Sequence, residues 1–449
     1  MLFQSLRQHT VLCFFGYTSL FLLRCVFITI ARLFHLQKNT PMTLFIQNIK
    51  EVVFFEKDLF RTANAVDIRI ENGMIADITP TGTTSAPAHA TILDGASYVA
   101  LPGLIDSHTH TIFGGSREDE FEMKLRGATY QDIAAKGGGI KSTMHKTRAA
   151  SKEELLQLGI RRCQSALALG ITTMEMKSGY GLSVEAEIKI LETIRDVRQH
   201  TPIEITSTFL GAHTIPPEYS QQREAYIRLV CETMIPMVTE QRLAEFCDAF
   251  CETNVFTPDE TRHIFETAKK YGMKLKLHAD QLTNTGGAEL CAEMGAISAD
   301  HLETTSDKGL AALAGSNVVA GLLPGCSFYL RMQYPPARKM IDMGIPVALA
   351  TDFNPGSCPT QNLQLIMSIA CTQMRMTPDE AIKGVTLHAA RALDKTHIGN
   401  IAVGMQADMV LFDVPGYRYI PYNFGQNHVA HVIKKGRVVH SASSLGENR

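Results

Sequence analysis

Runs of apolar residues divide the chain after Met42 into predicted strands and helices. Short β-branched runs at 44–49, 65–70 and 74–78 predict strands, and Asn72-Gly73 between the last two is a strong hairpin turn. From Tyr98 onwards, short apolar runs alternate with segments whose apolar residues recur every three or four positions, which is typical of strands alternating with amphipathic helices. Predicted strands of this part include 203–210, 274–278, 318–323 and 347–352, and predicted helices include 152–169, 184–199, 257–271 and 378–393.

This alternation predicts the fold class. Strands alternating with helices over ~300 residues indicate an α/β fold, and a (β/α)8 TIM-like barrel fits that length. Strands are predicted again at 409–412, 429–433 and 437–440, with a Lys435-Gly436 turn before the last. Because predicted strands flank the barrel at both ends, we expect a small β-sandwich domain built from both termini. The predicted domains are 42–100 with 403–449 for the sandwich, and 101–402 for the barrel.

Residues 1–41 form a hydrophobic N-terminal extension of a different character. Residues 11–34 are nearly all apolar, interrupted by Arg24 and Arg32, and about 20 apolar residues can span a bilayer. A membrane anchor is one interpretation, although an arginine well inside such a segment is costly. A secretory signal is another, but no A-x-A cleavage site follows. The third is that translation starts at Met42 and the extension is an artefact.

Composition and charge narrow the class of function. The chain is 45% hydrophobic and 20% charged, which is ordinary for a globular protein. Its formal net charge is −2, and without a basic stripe we expect neither a nucleic-acid partner nor a membrane surface. Ten cysteines without a CxxC pair indicate reduced thiols rather than a disulfide framework. We therefore expect a cytoplasmic protein.

The segment 101–110, Leu-Pro-Gly-Leu-Ile-Asp-Ser-His-Thr-His, carries the strongest chemical signal. Residues two apart on a strand face the same way, so His108 and His110 can bind one divalent metal together. His278, His301 and Asp352 each close a later predicted strand. The carboxyl ends of barrel strands converge on the face where active sites are built. The sequence therefore predicts a metal site there, although any one of these residues alone would be an ordinary polar residue.

Further motifs follow in order along the barrel segment. They are Phe113-Gly-Gly-Ser-Arg117, Glu175-Met-Lys-Ser-Gly-Tyr180-Gly-Leu182, Leu210-Gly-Ala-His213, His278-Ala-Asp-Gln281-Leu and Thr351-Asp352-Phe-Asn354-Pro-Gly356-Ser357-Cys-Pro359, and Gly399–Val410 leads into the C-terminal strands. Together with segment 101–110 they resemble the amidohydrolase superfamily, and within it the imidazolonepropionase family. The resemblance covers residues 42–449, and residues 1–41 have no counterpart in it.

The resemblance implies a reaction and a metal. It implies a metal-dependent hydrolase acting on C–N bonds in cyclic amides, which opens 4-imidazolone-5-propanoate to N-formimidoyl-L-glutamate in histidine degradation. One Zn²⁺ or Fe³⁺ ion per subunit would be bound by His108, His110, His278 and Asp352. Ligand type does not choose between zinc and iron. A homodimer acting on a small-molecule substrate is also implied.

The resemblance further implies catalytic and substrate-binding residues. The substrate contacts would be Arg117, Tyr180, His213, Gln281, Asn354, Gly356 and Ser357. The planar fork of Arg117 suits a propionate carboxylate, unless it pairs with nearby Glu118 or Asp119. Asp352 would be the general base and His301 would orient the nucleophilic water. Gln281 would be a catalytic hydrogen-bonding group, since a glutamine cannot act as a base.

Other interpretations stay open at this point. Another amidohydrolase, such as a cyclic amidine deaminase or a dihydroorotase-like cyclic amidase, would share the barrel and its metal, because folds host many functions. A catalytically inactive scaffold is a second alternative, but such proteins usually lose metal ligands. Lys177 is a candidate for a carboxylated lysine bridging two metals, although we expect it to belong to the substrate loop. Glycines 137–139 lack the P-loop spacing and predict a flexible loop near the barrel mouth. We expect His388 and His397 to be structural.

Overall fold

A computed structural model describes residues 43–128 and 137–442 of the chain. The interpretations of residues 1–41 lie outside the described residues. Within the described ranges, every helix is too short or too polar to cross a membrane.

The strands are, in chain order, β1 (Thr43–Glu56), β2 (Leu59–Glu71), β3 (Met74–Pro80), β4 (Thr91–Asp94), β5 (Val99–Pro102), β6 (Leu104–Asp106), β7 (Ile171–Lys177), β8 (Glu204–Ala212), β9 (Phe246–Cys251), β10 (Lys274–Ala279), β11 (Ser298–His301), β12 (Val319–Leu322), β13 (Val347–Leu349), β14 (Met409–Phe412), β15 (Val429–Lys434) and β16 (Arg437–Ser441). The α-helices are Glu118–Leu125, Ile140–Ala149, Lys152–Ala168, Val184–Val197, Arg223–Leu229, Ile235–Glu240, Pro258–Lys270, Gly287–Met294, Asp307–Ala314, Pro324–Leu330, Ala337–Asp342, Leu363–Met374, Pro378–Gly384, Leu387–Arg391 and Tyr419–Tyr422.

Strands β6 to β13 form a barrel in which neighbours along the chain are parallel neighbours in space. Helices connect these strands, and the strands themselves are buried on both faces. The predicted (β/α)8 barrel is confirmed. Helix starts follow local signals: Ser151 with Glu154 and Thr257 with Glu260 form capping boxes before two of the helices.

The barrel closes beyond the ends of β6 and β13. The backbone N–H of Asp352 donates to the His108 carbonyl at 3.0 Å, and that of His110 donates to the Phe353 carbonyl at 2.9 Å. The Asp106 carboxylate accepts the Thr351 N–H at 3.0 Å and the Thr351 hydroxyl at 2.6 Å. Closure at this point places His108, His110 and Asp352 side by side.

Two predicted elements differ from the observed ones. The strand predicted at 347–352 ends at Leu349, because Thr351 turns to Asp106 and Asp352 adopts a left-handed backbone with φ 56°. The helix predicted at 378–393 is interrupted between Gly384 and Leu387. There the Val385 carbonyl accepts the Ile105 N–H of β6 at 2.8 Å. The helix is thus interrupted where its backbone forms a hydrogen bond to the barrel strand β6.

The two ends of the chain meet in a second sheet with the order β16-β15-β14-β5-β1-β2-β3, and β4 pairs with the first half of β1. Its buried residues form a core of their own, including Ile46, Ile68, Ile70, Met409 and Ile433. This agrees with the predicted β-sandwich built from both termini. Strand β5 continues to Pro102, two residues past the boundary predicted at residue 100, and the barrel begins at Leu104.

Candidate active site

Three imidazoles converge at the mouth of the barrel. The Nε2 atom of His278 lies 3.1 Å from that of His108 and 3.3 Å from that of His110. The Oδ1 atom of Asp352 lies 3.7 Å from His108 Nε2 and 3.6 Å from His110 Nε2. All four side chains are buried, so these atoms face one another in a small enclosed space.

Carboxylates behind two of the histidines fix their tautomers. His108 donates its Nδ1–H to Asp300 Oδ2 at 2.7 Å, and His278 Nδ1 lies 3.1 Å from Asp248 Oδ2. Since a carboxylate accepts here, each ring carries its proton on Nδ1 and presents an Nε2 lone pair to the centre. Burial also lowers the pKa of His108 and His110 well below the ordinary value, which keeps both rings neutral.

This donor set fits a metal ion. Facing Nε2 lone pairs on His108 and His278, with the His110 nitrogen and one carboxylate oxygen beside them, are unfavourable without a cation. Three nitrogen donors and one oxygen donor are a set that zinc and iron both accept. The described residues that could share an ion include His108, His110 and Asp352 together, and His278 lies against both of these histidines.

Asp352 and His301 occupy strained positions at the centre. Their φ angles are 56° and 85°, in the left-handed region, which costs a non-glycine residue free energy unless its surroundings hold it there. His301 packs against His278, with ring centroids 5.3 Å apart, and its Nδ1 lies 3.5 Å from Glu303 Oε1. Burial alone would lower the pKa of His301, but the Glu303 carboxylate raises it above the ordinary value.

Arg117 lies directly over the loop that follows Asp352. A Cβ atom added at Gly356 would lie 2.0 Å from Arg117 Nη1. The Nε and Nη2 groups of Arg117 donate to Glu120 Oε2 at 2.9 and 2.8 Å. The partner is thus Glu120 rather than Glu118 or Asp119, and this pairing holds the guanidinium with Nη1 toward Gly356.

Asn354 organises the same loop. Its Oδ1 accepts the N–H groups of Gly356 and Ser357, both at 2.8 Å, and its Nδ2 donates to the Asp352 carbonyl at 2.7 Å. The Ser357 hydroxyl donates to Asp352 Oδ2 at 3.2 Å. The amide of Asn354 is therefore used within its own turn, which positions Asp352 and Ser357.

Tyr180 and His213 lie against His110. The His213 ring stacks on His110 at 5.1 Å and 15°, and the Tyr180 ring lies 5.6 Å from His110. His213 Nδ1 is 2.9 Å from the Gly179 carbonyl. Burial raises the pKa of Tyr180 and lowers that of His213 to about 3, so both are neutral hydrogen-bonding groups at pH 7.

Gln281 lies on the wall formed by the β10 end. It is buried, and its Nε2 is 3.4 Å from Cys326 Sγ.

The two histidines expected to be structural lie elsewhere. His388 bonds the Val347 carbonyl through Nδ1 at 2.9 Å, at the other end of the barrel, and His397 is half-exposed near Glu204. Both lie away from the converging histidines, as expected for structural residues.

Four of the five charged residues beneath the histidines were not predicted from the sequence, and the fifth, Lys177, was expected in the substrate loop. Asp248, Asp300, Glu175, Lys177 and Lys276 are all buried inside the barrel. A signal for some of them was present: Lys276 and His278 are two apart on β10, as are Glu175 and Lys177 on β7, so each pair faces the same way.

Lys177 is used in ion pairs with Asp248 at 2.7 Å and Glu175 at 2.9 Å. Its ammonium group is therefore engaged inside the barrel, which argues against the bridging carboxylated lysine.

Comparison with known proteins identifies the family. The amidohydrolase family model matches residues 99–439. Imidazolonepropionase from Alkaliphilus oremlandii is 52% identical over 350 residues, covering 78% of this chain and 83% of that protein. Imidazolonepropionase from Treponema denticola is 47% identical over 411 residues, covering 89% and 98%.

Solved structures share the fold at low identity. The 5-methylcytosine deaminase from Klebsiella pneumoniae superimposes with a TM-score of 0.71 at 17% identity, covering 90% of this chain and 99% of that one. A triazine hydrolase variant gives 0.71 at 16% identity, with 90% and 96% covered. These matches support the barrel and its flanking sheet. The family match and the near-full-length relatives together show that the chain belongs to the amidohydrolase family of metal-dependent hydrolases and, within it, to the imidazolonepropionases.

Proposed function

We propose that the chain catalyses the hydrolytic ring opening of 4-imidazolone-5-propanoate to N-formimidoyl-L-glutamate in histidine degradation. The names of its relatives at about 50% identity support this substrate. The observation that carries the proposal is that Arg117, a partner for a propionate carboxylate, lies beside the loop that holds Asp352 next to the three converging imidazoles.

We propose His108, His110, His278 and Asp352 as ligands of one Zn²⁺ or Fe³⁺ ion. Such an ion supplies an activated water at neutral pH and polarises the carbonyl under attack. The tautomers fixed by Asp300 and Asp248 direct two of the nitrogen lone pairs to it.

Asp352 is the proposed general base. One of its oxygens, Oδ1, faces the histidines, while Oδ2 is held by the Ser357 hydroxyl at the side of the loop. When the oxygen of water adds to the ring carbonyl carbon, Asp352 Oδ2 takes the proton that is released. It then delivers this proton to the ring nitrogen as the C–N bond breaks. The ring nitrogen therefore leaves as a neutral group.

His301 is the proposed partner of the developing oxyanion. The Glu303 carboxylate, 3.5 Å from its Nδ1, raises the pKa of His301, and the protonated ring has an Nε2–H that can donate to the oxyanion. Gln281 is proposed to hydrogen-bond to the substrate or water through its amide.

The proposed substrate pocket lies between two walls. Arg117 binds the propionate carboxylate above Gly356 and Ser357, with Asn354 shaping that loop. Tyr180 and His213 line the other wall, over His110. A ring held between them presents its carbonyl to the histidine centre.

Two further points of the proposal concern the whole protein. We propose a homodimer, supported by the exposed apolar side chains Phe328, Tyr422 and Phe424, which a second copy would cover.

We also propose a cytoplasmic location. The described cysteines are all free thiols, which suits a reducing compartment.

A substrate panel tests the proposed reaction. Purified protein is assayed with 4-imidazolone-5-propanoate, a cyclic amidine such as cytosine, and dihydroorotate, following ultraviolet absorbance and released ammonia. We expect turnover of the imidazolone without release of ammonia. Ammonia release from the amidine, or opening of dihydroorotate with an inert imidazolone, would instead establish another amidohydrolase activity.

A further inference from the structure

The barrel interior beneath the histidines holds a cluster of charges, of which the proposed reaction uses only the two carboxylates that orient His108 and His278. Two lysines, Lys177 and Lys276, and three carboxylates, Glu175, Asp248 and Asp300, are at most 1% exposed. Burying so many charges is costly unless they are paired and hydrogen-bonded. Their arrangement therefore calls for a physical role.

Lys177 contacts all three carboxylates. Its Nζ lies 2.7 Å from Asp248 Oδ2, 2.9 Å from Glu175 Oε2 and 3.9 Å from Asp300 Oδ2. Lys177 thus pairs directly with Asp248 and Glu175, whereas Asp300 lies nearer to Lys276, whose Nζ is 3.6 Å from the same oxygen.

Two of these carboxylates are the groups that orient metal-facing histidines. Asp300 Oδ2, the atom facing Lys177, accepts the Nδ1–H of His108 at 2.7 Å. Asp248 Oδ1 accepts the backbone N–H of His278 at 3.2 Å, and its Oδ2 lies 3.1 Å from the ring Nδ1. Lys177 is therefore one step removed from His278, through Asp248.

We propose that Lys177 is a positioning residue that sets the metal affinity of the site, by fixing Asp248 behind His278. Without the ammonium group, Asp248 would lose its ion pair at 2.7 Å and would be repelled by Glu175. The His278 imidazole would then lose the partner that fixes its orientation. Groups behind metal ligands commonly contribute 10–100-fold to metal affinity.

The direction in which metal affinity changes when Lys177 is removed distinguishes a positioning role from a simple effect of its charge. Lys177 is a cation close to a cation site. If it acted only through its charge, removing it would relieve repulsion and tighten metal binding. A positioning role predicts the opposite sign.

The test measures the dissociation constant of Zn²⁺ for the full chain by competition with a chelator. We expect one equivalent of Zn²⁺ to bind the wild type, and Lys177→Met to bind it about 10–100-fold more weakly. This inference rests on the metal centre proposed above, and the wild-type titration tests that centre by itself. Wild-type protein that binds no Zn²⁺ would overturn the proposed centre. Wild-type binding with equal or tighter binding by Lys177→Met would overturn the role of Lys177 alone.

Lys276→Met is the matched control. Lys276 is equally buried, but its Nζ donates to the Ser107 and Ala392 carbonyls at 3.3 and 3.1 Å, and its nearest carboxylate oxygen is 3.6 Å away on Asp300. We expect its Zn²⁺ affinity to change by less than about threefold, well below the 10–100-fold loss expected for Lys177→Met. Equal losses in the two lysine variants would contradict a specific role for Lys177.

Two double variants complete the test. If Lys177 acts through Asp248, adding Lys177→Met to Asp248→Asn should weaken Zn²⁺ binding much less than it does in the wild type. Additive losses would contradict that route. Should Lys177→Met alone fail to fold, Lys177→Met with Glu175→Gln removes one cation and one carboxylate and so preserves the interior charge. We expect the same loss of affinity there, and wild-type affinity would overturn the proposal.

Discussion

Single residues at the barrel mouth have contacts that fix what each can do. Asp352 has one oxygen toward the histidines and the other held by Ser357, in a left-handed backbone that the Asn354 turn supports. Gln281 lies near the same centre but carries no group that can accept a proton at neutral pH. The two side chains therefore differ in function although both are buried polar residues.

This difference predicts opposite tolerances to substitution. Asp352→Asn should lower kcat by at least about 10²–10⁴-fold, the usual contribution of a general base. Gln281→Glu should keep measurable turnover, because a hydrogen-bonding group remains. Steady-state kinetics at saturating metal, with metal content measured for each variant, checks both. A larger loss in Gln281→Glu than in Asp352→Asn would reverse the assignment of the base.

Gly356 provides a test of the Arg117 site. Gly356→Ala places a methyl group 2.0 Å from the present position of Arg117 Nη1, so the guanidinium must move. Since a charge-assisted hydrogen bond contributes about 1.5–3 kcal/mol, we expect KM for the substrate to rise about 10–100-fold, with little change in the melting temperature.

The control is Gly315→Ala, at an exposed glycine where the nearest atom to an added Cβ is 3.5 Å away. It should leave KM unchanged. An unchanged KM in Gly356→Ala would mean that Arg117 does not bind the substrate carboxylate.

Site residues at strand ends could be predicted from the sequence, whereas the buried acids that hydrogen-bond to the histidines could not. His108, His110, His278 and Asp352 follow apolar strands, and parallel strands bring such positions together. Asp248 and Asp300 could not be assigned in the same way, because one acid within a buried strand does not reveal which partner it faces. Asn354 shows another limit: its amide is used within its own turn, and only the folded loop shows this.

At the scale of elements, one buried carboxylate organises the loop between β7 and the next helix. Glu187, in the helix Val184–Val197, accepts the N–H groups of Gly179, Gly181 and Leu182 at 3.0, 2.7 and 2.8 Å. Tyr180 lies within this loop, and the Gly179 carbonyl bonds His213. The helix start thus holds one wall of the proposed pocket.

Glu187→Gln should loosen that wall. The new amide places an NH₂ group against a backbone N–H, which costs about 1–3 kcal/mol. We expect KM to rise about tenfold, equivalent to about 1.4 kcal/mol, with metal content unchanged.

Glu185→Gln, an exposed position on the same helix, is the control and should behave like the wild type. Loss of bound metal in Glu187→Gln would show that the carboxylate supports the histidine centre instead.

The boundaries of helices and strands show where tertiary contacts override local sequence patterns. The capped starts at Lys152 and Pro258 follow from Ser151 and Thr257 and were predictable within one residue. The interruption after Gly384 was not, because it depends on a backbone bond from Val385 to β6, which lies far away in the sequence.

For the whole molecule, a buried ion cluster joins the barrel to the terminal sheet. Lys434 of β15 contacts Asp408 at 2.7 Å and Glu204 of β8 at 3.3 Å. Although burial acts to raise it, the pKa of Glu204 is lowered to about 2 by Lys434 and Lys395. Ionised Glu204 therefore stabilises the joined domains.

This cluster predicts a pH-dependent contribution to stability. The folded pKa of Glu204 lies below that of the unfolded chain, so its contribution is present above about pH 4.5 and is lost as pH falls toward 2. With screening by solvent, we expect Glu204→Gln to lower the free energy of unfolding by about 1 kcal/mol at pH 7.

Urea unfolding at several pH values measures this loss. The difference from wild type should shrink below pH 4.5, and exposed Glu245→Gln should show little difference at any pH. A Glu204→Gln deficit that stays constant down to pH 3 would contradict the ionic account.

We propose that one metal ion, held by three histidines and Asp352, is required for opening of the imidazolone ring. The most direct test is to remove metal with a chelator, add back Zn²⁺ or iron in steps, and follow hydrolysis of 4-imidazolone-5-propanoate by its absorbance. We expect no turnover in the metal-free protein and recovery that saturates at one equivalent per chain. Full turnover without metal, or recovery that requires two equivalents, would contradict it.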